Sequence, residues 1–260
     1  MKIGIMDGVL RQSWETLFER AAALGFDGVE LGIGADDYAQ TMLWNDQGRR
    51  EIAAWSRTSG TEVASVCLHL FWTYTFAHEE EKVRRTGREI LRSTIGFCAE
   101  IGAGVILVPV TNPEGLGDEE ANRYWRDEVR ACAGLAEEKE VHIGLENVGR
   151  SQVRSAADLL ALIQAVDSPF VGAYFDVGNA KSLGGDPVEG IRLLGPHIAE
   201  MHVKDPGGTV LGEGKVDLTG CMEALREIGY EGYLVLETPA TDDPDGAARH
   251  NLQYLRALLA

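Results

Sequence analysis

No apolar run in this sequence is long enough to cross a bilayer. The runs are short, Val105-Ile106-Leu107-Val108 being typical, whereas a spanning helix needs about 20 residues. The N-terminus, MKIGIMDGVL, places Asp7 and then Arg11 where a secretory signal needs its apolar segment. Cysteine is scarce and scattered: Cys67, Cys98, Cys132 and Cys221 form no CxxC pair and no zinc-finger spacing. They read as free thiols, with Cys67 and Cys132 in apolar, buried surroundings. Basic residues are outnumbered, 24 Lys+Arg against 41 Asp+Glu, for a net charge of −17. A chain this acidic repels nucleic-acid phosphates and anionic lipid. These absences point to a soluble cytoplasmic protein whose partner is a small molecule, neither nucleic acid nor membrane. A homo-oligomer stays open as an alternative to a monomer.

The composition that remains is globular: 45% hydrophobic and 25% charged residues exclude a disordered or fibrous chain. Glycine is abundant, 31 in 260 residues, against a usual share of about 7%. One alternation runs through the chain. Strand-like apolar runs fall at 3–6, 29–33, 63–69, 105–110, 141–146, 171–176, 198–203 and 233–237. Helical periodicity falls between them, at 13–25, 46–59, 79–101, 118–139, 155–166, from 186 onward, at 217–228 and at 245–259. Ser13 reads as an N-cap with Thr16 at the capping-box position, and Gly25, Gly60, Gly102 and Gly229 read as helix stops. Strands so uniformly apolar are buried on both faces. Eight strand-helix units without a linker predict a single (β/α)8 TIM barrel domain over residues 1–260. A doubly wound sheet needs GxGxxG after its first strand, and Asp7-Gly8-Val9-Leu10 is not that.

In such a barrel the C-terminal strand ends build the active site. Glu30 falls near the end of the second predicted strand and His69 at the end of the third. Glu146, Asp176, His202 and Glu237 fall at the ends of the fifth to eighth. A lone glutamate or histidine is usually structural or solvated. Four on consecutive strands, each about 4.8 Å from the next, can converge on one point. Three carboxylates in a ring repel one another unless a cation neutralises them. Three oxygen donors and one imidazole suit a divalent ion with open positions: Mn²⁺ first, with Mg²⁺ or Co²⁺, and Zn²⁺ as an alternative.

The motifs Gly144-Leu145-Glu146-Asn147, Tyr174-Phe175-Asp176-Val177-Gly178-Asn179, Met201-His202-Val203-Lys204-Asp205, Leu211-Gly212-Glu213-Gly214-Lys215-Val216-Asp217 and Leu236-Glu237-Thr238 resemble those of the sugar phosphate isomerase/epimerase family. That family has the xylose isomerase-like TIM barrel. It includes ketose 3-epimerases, hydroxypyruvate isomerases and inosose dehydratases. The resemblance spans nearly the whole chain and is densest from Val141 to Thr238. It implies that Glu146, Asp176, His202 and Glu237 hold the metal and that the two glutamates exchange protons with the substrate. Free-sugar 3-epimerases usually carry a histidine three residues after the metal aspartate and an arginine six after the metal histidine. Asn179 and Gly208 stand at those positions here. The combination of Asp-Val-Gly-Asn with His-Val-Lys-Asp looks more like the branch acting on pentulose 5-phosphates, the L-xylulose 5-phosphate 3-epimerase type, as does His69.

The expected chemistry is 3-epimerisation of a ketose, free or 5-phosphorylated, through a metal-stabilised enediolate, with Glu146 and Glu237 as acid and base on opposite faces. His69, Asn179 and Lys204 are expected to contact substrate oxygens. Lys215 and the glycines around Glu213 are a candidate anion cradle, and Trp44, Phe71, Trp72 and Tyr74 are candidate walls of a sugar site. Arg84, Arg85, Arg88 and Arg92 read as a solvated charged face. An inosose dehydratase or hydroxypyruvate-type isomerase begins with the same proton removal and remains an alternative, as does a catalytically silent sugar-binding barrel. An endonuclease IV-like repair enzyme needs a histidine-rich three-zinc cluster, which Asn179 and the charge disfavour.

Overall fold

In the computed structural model, residues 1–36 and 38–260 are described. Eight parallel strands close on themselves in chain order: β1 (Lys2–Met6), β2 (Gly28–Gly32), β3 (Glu62–Cys67), β4 (Val105–Pro109), β5 (His142–Glu146), β6 (Val171–Asp176), β7 (Ile198–Val203) and β8 (Tyr233–Leu236), with β8 pairing back onto β1. The expected (β/α)8 barrel is the observed architecture. The strands are buried nearly throughout, because their inner faces fill the barrel and their outer faces meet helices.

The large helices are α2 (Trp14–Leu24), α3 (Asp46–Ser59), α4 (Glu81–Ile101), α5 (Asp118–Lys139), α6 (Ala156–Val166), α8 (Pro187–Leu194), α9 (Leu218–Glu227) and α10 (Pro244–Leu259). Short helices α1 (Asp7–Leu10) and α7 (Val177–Ser182) follow β1 and β6 directly. They are too short to show a periodicity and were not expected. Gly25 and Gly102 end their helices at φ +98° and +80°, a left-handed backbone that glycine adopts without penalty. Asp186 caps α8 by accepting from the Val188 and Glu189 N–H groups, with Pro187 in the first turn. Ser13 occupies the N-cap position of α2 but makes no side-chain cap bond; its hydroxyl lies 3.2 Å from that of Thr16 instead.

All four cysteines are free and buried. Among the described residues no helix is long and apolar enough to cross a membrane. The arginine cluster on α4 is only partly a solvated face. Arg84 is largely covered, its guanidinium 4.0 Å from the Tyr124 ring, and both Arg84 and Arg88 face Glu128 of α5, at 3.7 and 2.5 Å.

Candidate active site

Side chains on a strand alternate between faces, so residues two apart share one. On β6, Tyr174 and Asp176 both point into the barrel, and on β7 so do Glu200 and His202. Register pairs Asp176 with His202 and Tyr174 with Glu200, so the inward residues lie in layers. The upper layer, at the strand ends, brings Glu146, Asp176, His202 and Glu237 together, one ligand-type atom of each lying within 4.8 Å of all the others. His202 Nδ1 is 3.2 Å from Glu146 Oε1 and 3.3 Å from Glu237 Oε2. Glu237 lies one residue beyond β8 and continues the ladder, its N–H donating to the Val203 carbonyl. Asn147 and Asp176 are tied reciprocally: the Asp176 N–H donates to the Asn147 side chain, whose amide donates to the Asp176 carbonyl. Asp176 Oδ1 accepts from the Asn179 N–H at the start of α7, which fixes the carboxylate plane.

Lys204 enters this cluster. Its Nζ donates to Glu237 Oε2 at 2.5 Å and lies 2.7 Å from Asp176 Oδ2. The second contact is an ion pair, so the charge of buried Asp176 is met by the Lys204 ammonium. The glutamates differ in proton affinity. Burial pushes Glu146 up to about 7, and the charges of Glu237 and Asp176 add to the rise against the His202 contact. Burial raises Glu237 too, but His202 and Lys204 outweigh it and hold its carboxyl well below the usual range. Burial disfavours the charge on His202, yet Glu30 and Glu237 outweigh that and raise it well above an ordinary histidine.

The other expected contacts are placed less centrally. β3 ends at Cys67, not at 69, and His69 sits in the following 3₁₀ turn, its ring nitrogens 3.6 Å from Cys67 Sγ. Among the described residues no hydrogen bond joins it to the cluster. The Asn179 side-chain amide donates to the Asn147 carbonyl, a tie between loops. The glycine-rich turn is no anion cradle. The buried Asp205 carboxylate already accepts from the Gly212, Gly214 and Val216 N–H groups, so the turn is folded around an internal anion. Phe71 is no wall either: it is buried against Phe76 and Trp125, with ring centroids 5.0 and 5.9 Å away. Trp44 packs edge-on against Tyr38 and Phe97, and Tyr74 against Tyr38, while Trp72 is exposed.

Sequence reasoning passed over two features. Gln152, in the loop after β5, is buried, and among the described residues neither of its amide atoms has a hydrogen-bond partner. Such a group costs about 1–3 kcal/mol unless something satisfies it. The lower layer of the barrel holds Glu30, Ser65, Tyr174 and Glu200, all buried and hydrogen-bonded to one another. Glu30 was expected at a strand end; β2 runs on to Gly32, and Glu30 points inward beneath His202. The available signal was a single charge inside an otherwise apolar strand, as in Val29-Glu30-Leu31 and Ala199-Glu200-Met201.

Known proteins resemble the chain along its length. The family model of the xylose isomerase-like TIM barrel matches residues 18–258. L-ribulose-5-phosphate 3-epimerase UlaE of Escherichia coli strain K12 is 27% identical over 258 residues, covering 96% of this chain and 91% of that protein. Among solved structures, D-psicose 3-epimerase with D-tagatose from Clostridium cellulolyticum H10 superposes with a TM-score of 0.88 at 20% identity, covering 100% of this chain and 99% of the other. The IOLI protein with a bound zinc atom gives 0.83 at 17% identity, covering 100% and 98%.

Proposed function

The chain belongs to the xylose isomerase-like TIM barrel family, and from that premise we propose that it is a divalent-metal-dependent isomerase that epimerises a ketose at C3. The observation that carries this reading is the placement of Glu146 and Glu237. Two carboxylates from strand ends separated by two other strands approach one imidazole nitrogen, at 3.2 and 3.3 Å, within a four-residue cluster of ligand-type side chains. In this reading one glutamate accepts the proton from C3 on one face and the other returns a proton on the opposite face; the reverse reaction exchanges their roles.

The donor set fits a divalent ion. Three carboxylates and one imidazole converge, and buried Asp176 Oδ2 already faces the Lys204 ammonium at 2.7 Å, so the pocket is one that holds positive charge. Glu146, Asp176, His202 and Glu237 would hold it. Oxygen-rich donors favour Mn²⁺, with Mg²⁺, Co²⁺ and Zn²⁺ as alternatives. A bound ion supplies Lewis-acid stabilisation of negative charge as it develops on the substrate oxygens. Lys204, shared between Asp176 and Glu237, sits at the reacting centre and not at a distant phosphate subsite. His69, in the turn after β3, and Asn179, at the start of α7, would meet substrate hydroxyls.

The substrate is a small sugar or sugar phosphate. A 5-phosphate is favoured by the likeness to the ribulose-5-phosphate enzyme across 96% of this chain, not by any free N–H cradle in the glycine-rich turn. The same reading takes residues 1–260 as one domain acting in the cytoplasm, with no nucleic-acid or membrane partner, a setting that the net charge of −17 suits. The test is to incubate the Mn²⁺-loaded protein with pentuloses and their 5-phosphates in deuterated water and follow C3 by NMR. Deuterium at C3 with appearance of the epimer is the expected result. Water loss or an aldose product would move the protein to the dehydratase or aldose–ketose isomerase class. No exchange with any member of the panel would overturn the epimerase reading.

A further inference from the structure

Beneath the cluster, a buried hydrogen-bonded chain ends on the far side of His202. His202 Nε2 lies 2.8 Å from Glu30 Oε1, and both side chains are almost wholly inaccessible, at 1% and 0%. The other Glu30 oxygen is occupied as well: Oε2 accepts from the Ser65 hydroxyl at 2.6 Å and from the Tyr174 hydroxyl at 2.8 Å. Tyr174 OH is also 3.0 Å from Glu200 Oε1, and its ring meets the His202 ring edge-on at 4.7 Å. Glu30 is therefore held from two sides and faces the imidazole as an acceptor.

An imidazole with its lone pair on Nε2 would set that lone pair against a carboxylate oxygen 2.8 Å away with no proton between them. It would also aim an Nδ1–H into the space among Glu146, Asp176 and Glu237. Without an ion both ring nitrogens face carboxylate oxygens and both suit a proton. Once a cation sits among the carboxylates, the opposite tautomer satisfies both sides, with Nε2–H donating to Glu30 and the Nδ1 lone pair turned to the cation. We propose that Glu30 is a positioning residue that fixes His202 as the Nε2–H tautomer, leaving Nδ1 as the nitrogen that binds the divalent ion, with Ser65 and Tyr174 holding Glu30 in place. An outer carboxylate of this kind orients the ring and raises its basicity. The inference rests on the metal-binding half of the proposed function and is independent of which sugar is turned over.

Two measurements test it. In wild-type protein labelled with ¹⁵N-histidine and loaded with diamagnetic Zn²⁺, the His202 ring is expected to carry its proton on Nε2, with the metal-perturbed shift on Nδ1. In titration calorimetry with Mn²⁺, Glu30→Leu is expected to bind about 10–100-fold more weakly than wild type, the usual effect of losing such a partner. Glu30→Gln should fall between them, because its amide oxygen can still accept from Nε2–H. A proton on Nδ1 in the Zn²⁺-loaded protein would overturn the proposal. So would a folded Glu30→Leu whose affinity stays within about twofold of wild type. If Glu30→Leu does not fold, the wild-type spectrum decides alone. A wild-type protein that binds no ion at His202 sinks both this and the proposed function. One that binds the ion but epimerises no sugar sinks only the latter.

Discussion

Glu146 and Glu237 approach the same nitrogen of His202, at 3.2 and 3.3 Å, and an amide at either position keeps an oxygen donor while removing the proton acceptor. Glu146→Gln and Glu237→Gln, assayed with metal saturating, are each expected to lower net epimerisation by about 10²–10⁴-fold. One variant should still exchange the C3 hydrogen of one epimer, because the other face keeps its own base. Two variants that hold metal and turn over within about tenfold of wild type would remove the two-base mechanism. Metal uptake should also depend on pH in a stated direction. His202, raised by its carboxylate neighbours, gives up its Nδ1 proton when the ion binds. Glu146, pushed up to about 7, holds a second proton only below that pH. More protons should therefore be released on binding Mn²⁺ at about pH 6 than at about pH 8, and apparent affinity should climb more steeply below about 7 than above it. Calorimetry in buffers of different ionisation enthalpy counts them, and equal release at both pH values would contradict the assignment. At this scale Glu146, Asp176, His202 and Glu237 were legible, because a charged residue closing an apolar strand needs no register to be noticed. Glu30 and Glu200 lie inside their strands, and their partners Ser65 and Tyr174 come from other strands. Even so, alternation alone puts Glu200 on the same face as His202 and Tyr174 on that of Asp176.

The elements legible from pattern were those long enough to repeat it. α3 and α5 begin and end at the expected residues, Asp46–Ser59 and Asp118–Lys139. α7 spans only Val177–Ser182 and is started by the Asp176 side chain, so its cause is a cap and not a periodicity. The loop after β7 illustrates the limit of motif reading. Glycines beside a lysine suggest an anion site, but the anion is Asp205, 3% exposed, which accepts three backbone N–H groups at 2.9–3.0 Å. Hydrogen bonds to a charged group contribute about 1.5–3 kcal/mol each, not additively. Asp205→Ala is therefore expected to destabilise the protein by about 3–5 kcal/mol, and to raise proteolytic cutting between residues 206 and 217. The first effect is read by denaturant melts and the second by limited digestion. A variant as stable and as resistant as wild type would show that the turn does not depend on this carboxylate.

At the scale of the whole barrel, closure concentrates like charge. Glu146, Asp176 and Glu237 come from β5, β6 and the residue after β8, and pairing of successive strands forces their side chains into one mouth. The folded state must tolerate this crowding, within a chain already at −17, whereas the unfolded chain disperses it. A divalent ion at this site binds the folded form and relieves the repulsion, so loading should raise thermal stability. At a free metal concentration of about 100 times Kd, mass action contributes about 2.7 kcal/mol. For a domain of this size that corresponds to a Tm increase of roughly 5–10 °C. Scanning calorimetry with Mn²⁺ against a chelator is expected to show it, with the shift growing as metal is added and reversing on chelation. An acidic surface also gathers cations without a specific site, so the control is His202→Asn, which leaves every surface carboxylate in place and removes the imidazole ligand. Its Tm should respond much less at the same metal concentration. An equal rise in variant and wild type would mean that the stabilising ion sits elsewhere on the acidic surface, and the four strand-end residues would lose their role as the metal site.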